Sequence, residues 1–327
     1  MDQMLKFMFE GLPVRGMLVR LGPAWREAMS RRATVSDGGH AFAPPVRALL
    51  GEMAAAGVLM QSNLKFNGAL VLQIQGDGPV RLAVCETQPE LSFRVTAKVV
   101  GEVVGEVGGE AAGAGGPGLE ALVNVGGQGR CAITLDPRDR LPGQQPYQGV
   151  VPLHGDQREP LQQLSQVLEH YMLQSEQLDT RLVLAADDEV AAGLLIQRLP
   201  LEGGRQDERH IGTQEDYQRI AMLAGTLTRE ELLTLQPAEL LRRLFWEETV
   251  RVFEPLAPRF ACSCSRGKVS GMLQGLGAEE LEGILAERGA VEVGCDFCGA
   301  QYRFDPVDVA ELLTPGREAP PSSSAMQ

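Results

Sequence analysis

The sequence predicts an α+β protein: an N-terminal core domain of mixed strands and helices, a short helical linker, and a small C-terminal module built around cysteine. Three observations lead there. Turn signals separate short alternating apolar segments over residues 1–200, and hairpins outnumber strand–helix–strand units. After Leu201 the composition shifts to charge and leucine, with start and stop signals for very short helices. Four of the six cysteines, Cys262, Cys264, Cys295 and Cys298, fall within 37 residues, where random placement would put fewer than one.

The elements follow in order. Pro45 to Gln61 is predicted to be a helix, with proline at its start and Leu49, Leu50, Met53 and Ala54 on one stripe. Asn67-Gly68 is expected to be a hairpin turn, because both residues tolerate positive φ. Ala69 to Gln75 then reads as a strand, and Gly76-Asp77-Gly78-Pro79 turns it into a second, Val80 to Cys85. Leu91 to Val100 and Arg130 to Leu135 alternate, and Tyr147 to Pro152 is short and apolar. Leu161 to Gln177 is helical by the stripe Leu161, Leu164, Leu168, Met172. Strands Arg181 to Ala186 and Val190 to Leu199 flank Asp187-Asp188.

Residues 101–118 hold eight glycines in 18 and no aromatic, which predicts a loop or hairpin tip. Gly113-Ala-Gly115-Gly-Pro-Gly118 matches G-x-G-x-x-G formally, but its proline and the lack of a following helix of useful length argue against a dinucleotide loop. In the linker, Thr213 can cap a first helix, Thr228-Arg-Glu-Glu231 is a capping box for a second, and Pro237 starts a third. The third carries Leu240, Leu241, Leu244 and Phe245 on its apolar side. Helices this short do not persist alone in water and must lean on a neighbour. In the cysteine module, Ala278 to Arg288 is the clearest helix, ended by Gly289 and followed by a strand, Ala290 to Val293. The expected division is therefore a core at 1–201, a linker at 202–258, the cysteine module at 259–313 and a disordered tail at 314–327.

Composition narrows the function. Apolar residues make up 44%, enough for a sizeable core, and a net charge of −13 argues against nucleic acid or an anionic membrane as partner. No run of 18 apolar residues and no basic-then-apolar leader is present, so a cytoplasmic protein is expected. There, clustered thiols point to metal or redox chemistry rather than to structural disulfides.

Four thiolates suit tetrahedral zinc and leave no open coordination position. A module of about 55 residues with few aromatics also has a marginal core, which a bound metal would support by about 10–16 kcal/mol. The Cys-x-Cys half is unusual for a purely structural site, and near-neighbour thiolates can close on one another once one is oxidised. That spacing permits a switch without requiring one. A nucleic-acid-binding ribbon is disfavoured, since residues 259–313 carry five basic against nine acidic side chains. A thioredoxin-like site at Cys295–Cys298 is disfavoured because Gly299 and an alternating segment follow instead of a helix. A merely structural zinc module stays open as the alternative.

Elsewhere, His40, His154, His170 and His210 are scattered, and His170 is expected at a surface or interface. Cys85 and Cys131 sit in predicted strands as small buried hydrophobes, and Trp25 and Trp246 are expected in core or interdomain packing. No H-E-x-x-H, G-x-S-x-G or Walker pattern occurs, so no catalytic residues are assigned and no enzyme is expected.

Cys262-Ser-Cys264, thirty residues, then Cys295-Asp-Phe-Cys298 resembles the redox-regulated 33 kDa heat-shock holdase chaperone family. The resemblance extends through Leu64-Lys-Phe-Asn-Gly68, Gln75-Gly-Asp-Gly-Pro79, Tyr147-Gln-Gly-Val-Val151, Ser175-Glu-Gln-Leu178, Ala191-Ala-Gly193, Glu230-Glu-Leu-Leu-Thr-Leu235 and Glu247-Glu248, so it spans roughly residues 5–313. It implies an α+β core, a metastable helical linker and a zinc-binding redox domain. It also implies one zinc per chain on Cys262, Cys264, Cys295 and Cys298 in the reduced state. Oxidation with unfolding stress would then form Cys262–Cys264 and Cys295–Cys298, release zinc and unfold the switch domain and linker. The implied partners are unfolding client proteins, bound without ATP, a second copy of the oxidised chain, and downstream the seventy-kilodalton ATP-dependent chaperone system. The glycine-rich stretch and the tail depart from the family pattern and carry no functional expectation. The alternative function is a constitutive protein-binding module with a purely structural zinc site.

Overall fold

Strands buried on both faces lose the polar–apolar alternation of half-exposed ones, and Val14–Leu21 shows this. In the computed structural model, which describes residues 1–33, 42–101, 103, 118–139, 143–200 and 214–314, Gln3–Phe9 forms β1 and Val14–Leu21 forms β2. Neither strand was predicted, nor was the helix α1 (Pro23–Ala33). There follow α2 (Pro44–Asn63), β3 (Gly68–Gln75), β4 (Val80–Thr87), β5 (Ser92–Val99), α3 (Leu119–Val123), β6 (Arg130–Pro137), β7 (Tyr147–Pro152), α4 (Leu164–Glu176), β8 (Thr180–Ala186) and β9 (Ala191–Arg198). The three expected linker helices are α5 (Gln214–Gly225), α6 (Arg229–Thr234) and α7 (Pro237–Leu244). Two short strands come next, β10 (Val250–Val252) and β11 (Arg259–Phe260), then α8 (Arg266–Leu276), α9 (Ala278–Arg288), β12 (Val291–Gly294), β13 (Gln301–Phe304) and α10 (Pro306–Leu313). The architecture is α+β, as predicted.

The described residues divide into two compact units, a large one carried by Met1–Met29 and Ala41–Ala261 and a small one that takes in the chain from Cys262. In the large unit, one sheet has the order β10-β1-β2-β9-β8 and the other β11-β5-β4-β3-β6-β7. The helix α2 lies between them, packing on β2, β8 and β9 of the first and on β3, β4 and β5 of the second. From Val46 to Gln61 it is mostly apolar and buried, the exceptions being the partly buried charges Arg47, which pairs with Asp188, and Glu52. Two glycines let it approach closely: a Cβ on Gly51 would stand 2.4 Å from the Ala186 Cβ, and one on Gly57 would stand 2.6 Å from the Thr87 hydroxyl.

On the other face of the first sheet, Leu5, Phe7, Phe9, Leu194 and Ile196 form a second core with Tyr217, Ile220, Leu232, Leu233, Leu240, Leu241, Leu244 and Phe245 from α5–α7. Phe245 packs edge-on against Phe9, with ring centroids 4.9 Å apart. The capping box holds as predicted: Thr228 Oγ1 accepts from the Glu231 amide, and the Glu231 carboxylate accepts from the Thr228 amide.

Several expectations change. Asn67-Gly68 is not a hairpin turn; Gly68 begins β3 directly after the irregular stretch that leaves α2, because the preceding segment is helix and not strand. Residues 250–252, inside the segment expected to be helical, pair instead with β1, and Arg259–Phe260, counted with the cysteine module, pair in parallel with β5. Trp25 is fully buried and donates its indole N–H to the Asp187 carbonyl at 2.8 Å, but Trp246 is 75% exposed and packs into no core. The glycine-rich motif apart from Gly118, the Thr213 cap, residues 202–213 of the linker and the tail beyond Thr314 lie outside the described residues.

Candidate metal centre

The small unit has little apolar material to fold around. Among the described residues its buried cluster is Leu273, Leu281, Val291, Phe304 and Val309, with half-buried apolar side chains such as Ile284, Leu285 and Leu312 packed around it. Three caps organise its backbone: Ser265 accepts from the Lys268 amide at the start of α8, Gly289 ends α9, and Asp305 accepts from the amides of Val307 and Asp308 at the start of α10. The Arg266 guanidinium lies 4.2 Å over the Phe304 ring, donates to the Arg303 carbonyl and pairs with Asp308 at 2.8 Å.

This frame brings the cysteines together. Cys262 and Cys264 lie on the extended approach to α8, and Cys295 and Cys298 lie in the loop of the β12–β13 hairpin. That loop is tight: the Gly299 amide donates to the Cys295 carbonyl at 2.8 Å, the Cys295 amide donates to the Ala300 carbonyl at 2.9 Å, and Gly299 sits at φ 71°. All four Sγ atoms fall within 4.8 Å of one another, with Cys262 to Cys295 at 3.6 Å and Cys264 to Cys298 at 3.4 Å. Four sulfurs each about 2.3 Å from one tetrahedral zinc stand about 3.8 Å apart, so the donor set and spacing fit a single such ion.

Burial pushes the Cys295 and Cys298 thiols up, and their sulfur neighbours push them further, while backbone N–H groups of the hairpin loop oppose this. Four ionised sulfurs could not crowd so closely without a compensating cation, and a divalent metal would supply that charge. Sequence reasoning missed Tyr302, whose hydroxyl donates to Cys264 Sγ at 3.1 Å; the same contact pushes the phenol up.

The other singled-out residues stand apart. Cys85 and Cys131 are completely buried on β4 and β6 in the large unit, where burial pushes each thiol up to about 12, out of reach of the reactive thiolate state. His170 is half-buried on α4, its Nε2 3.8 Å from Asp156, and His154 lies beside an open polar cleft with Asp77 and Arg130. His40 and His210 lie outside the described residues.

The family model of the Hsp33 protein matches residues 2–305 of the chain. The chain belongs to the Hsp33 chaperone family. Among Hsp33 relatives, the 33 kDa chaperonin of Chromobacterium violaceum is 45% identical over 95% of this chain and 94% of its own length. That of Neisseria meningitidis serogroup A is 40% identical, over 95% of this chain and 91% of its own length. The crystal structure of the Hsp33 homologue of Thermotoga maritima superposes with a TM-score of 0.70 at 24% identity, covering 95% of this chain and 97% of that one, and so shows the same fold. Among the described residues, no helix is long and apolar enough to cross a membrane.

Proposed function

We propose that this chain is a redox-regulated, ATP-independent holdase of the cytoplasm that captures unfolding proteins under oxidative stress, and that it is not an enzyme. The observation that carries the proposal is the set of four sulfurs gathered within 4.8 Å in a unit whose buried apolar cluster, among the described residues, is five residues. Zinc, when bound, holds the sulfurs as thiolates and ties the approach to α8 to the β12–β13 loop. Cys262, Cys264, Cys295 and Cys298 are then both the ligands and the sensor. Peroxide oxidises one sulfur of a near pair to a sulfenic acid, and peroxide's other oxygen leaves as water. The second sulfur attacks the first, the S–S bond forms and the sulfenic oxygen departs as a second water. Each near pair thus gives up two electrons, closing Cys262–Cys264 and Cys295–Cys298 and removing all four ligands.

In this reading the core is residues 1–201, the linker 202–258 is metastable, 259–313 is the switch and 314–327 is a tail. Losing the ligands unfolds the switch, the linker loosens, and the apolar faces of α5–α7 and of the first sheet become a client surface. The oxidised chain pairs with a second copy, and clients pass on to the seventy-kilodalton ATP-dependent system. Nucleic acid and membranes are not partners, consistent with a net charge of −13.

The test is light scattering from a heat-unfolding protein, with reduced and with peroxide-treated chain at mildly raised temperature, alongside zinc release and peptide mapping. Suppression only after oxidation, one zinc lost per chain, and local disulfides are expected. Equal suppression in both states would leave a constitutive binder with a structural zinc site.

A further inference from the structure

An edge strand with free N–H and C=O groups is a template for any extended chain, and one rich in apolar residues is usually covered. The strand β1 would be such an edge but for the short strand β10 that covers it. Its outer side is occupied by the segment 249–256, which runs antiparallel to it through β10, with Phe7 opposite Val252, Met8 opposite Arg251 and Phe9 opposite Val250. The pairing extends beyond β10 at both ends. The Glu10 amide donates to the Thr249 carbonyl, the Phe253 amide donates to the Lys6 carbonyl, and Met4 and Leu256 exchange both bonds, all at 2.9 Å.

The cover is slight. Only three residues of it are regular strand, and its own side chains are weakly held: Val252, Phe253 and Leu256 are 48%, 44% and 42% exposed. Pro255 leaves one position without a donor. Beneath it, β1 offers seven residues of edge with Leu5, Phe7 and Phe9 on one face, all buried. The chain then makes its last bonds to the second sheet through β11 and the Ala261 amide, immediately before Cys262.

We infer that the outer edge of β1 is itself a client-docking site: once the segment 249–256 leaves, an extended stretch of an unfolding protein takes its place by backbone hydrogen bonding. The segment on the page shows what the occupant must be, an extended strand with apolar residues at alternate positions, as Val250 and Val252 stand beside Phe9 and Phe7. Unfolding proteins expose such strands whatever their sequence, since the backbone supplies the bonds and alternate side chains need only be apolar. The inference rests on the redox-activated reading above.

Amide hydrogen exchange on the full-length chain tests it, with a reduced, carboxymethylated and therefore permanently unfolded protein as probe. In the reduced state the Met4 and Glu10 amides should be protected. Oxidation should speed their exchange at least about ten-fold, and the probe should slow it again by a comparable factor. Probe binding that leaves these amides fast, or amides that never become fast on oxidation, would overturn the inference while leaving the holdase reading intact. Protection that returns without probe and grows with protein concentration would assign the edge to a second copy of the chain and also overturn it. Failure of the oxidised chain to bind the probe at all would overturn both.

Discussion

At the scale of single residues, the four clustered cysteines differ from the other two by environment rather than by type. On the zinc reading Cys298 would be one of four donors, so Cys298→Ser should weaken zinc binding by about two orders of magnitude or more in a chelator competition. Tyr302 holds Cys264 through its hydroxyl, and Tyr302→Phe should weaken binding by about ten-fold, as loss of an outer hydrogen bond does. Cys85 and Cys131 are buried in a sheet that does not carry the cluster, and serine at either should leave zinc content and activation unchanged. The clustering of the four cysteines was legible because spacing alone marks Cys-x-Cys and Cys-x-x-Cys as pairs. Tyr302 was not, because an aromatic in an alternating segment looks like core, and its reach to sulfur depends on the hairpin register that sets it opposite Val293.

Among the elements, α7 is the one whose burial matters most to the proposed switch. Leu244 is buried with Leu240, Leu241 and Phe245 against β1 and β2 of the first sheet. Leu244→Asp would bury a carboxylate at a cost of several kcal/mol, so the reduced variant should suppress client aggregation without oxidant, seen by light scattering. The helix α2 carries a second lever. Burial lifts the Glu52 carboxyl to about 7, opposed in part by Arg229 of α6. Between about 4.5 and 7 the folded chain keeps a proton that the unfolded chain gives up, so this group's contribution to stability falls as pH rises through that window. Glu52→Gln should remove the slope and stabilise the protein by about 1–2 kcal/mol above pH 7, measured by urea denaturation at pH 5 and pH 8. Helices with proline starts or capping boxes were readable, as α2, α6 and α7 show. β2 was not, since Gly16–Val19 is buried on both faces. β1 alternates in burial from Leu5 to Phe9, but Met4 and Met8 on its other face are apolar and hide the period in the sequence. β10 and β11 carry three and two residues, too few for any pattern.

For the whole molecule, the layers predict graded opening. In hydrogen exchange after oxidation, residues 214–314 should exchange fast while β2, β3, β4 and β9 stay protected, because α2 and its core hold both sheets without the linker. Equal protection of α5–α7 in both redox states, with activity present, would contradict the mechanism. The α+β class was legible from turns and alternation, but the sheet order was not, since nothing local in Val14–Leu21 marks its partner as Ala191–Arg198. That pairing has a consequence during synthesis. The first strands to leave the ribosome have no inner neighbour until residue 198 emerges, and no outer one until residue 252 does. At roughly 5–20 residues per second the β1–β2 hairpin waits on the order of ten seconds or more, an apolar ribbon in need of shelter. If the proposed holdase activity is right, the chain would while being made have the need that it serves in others.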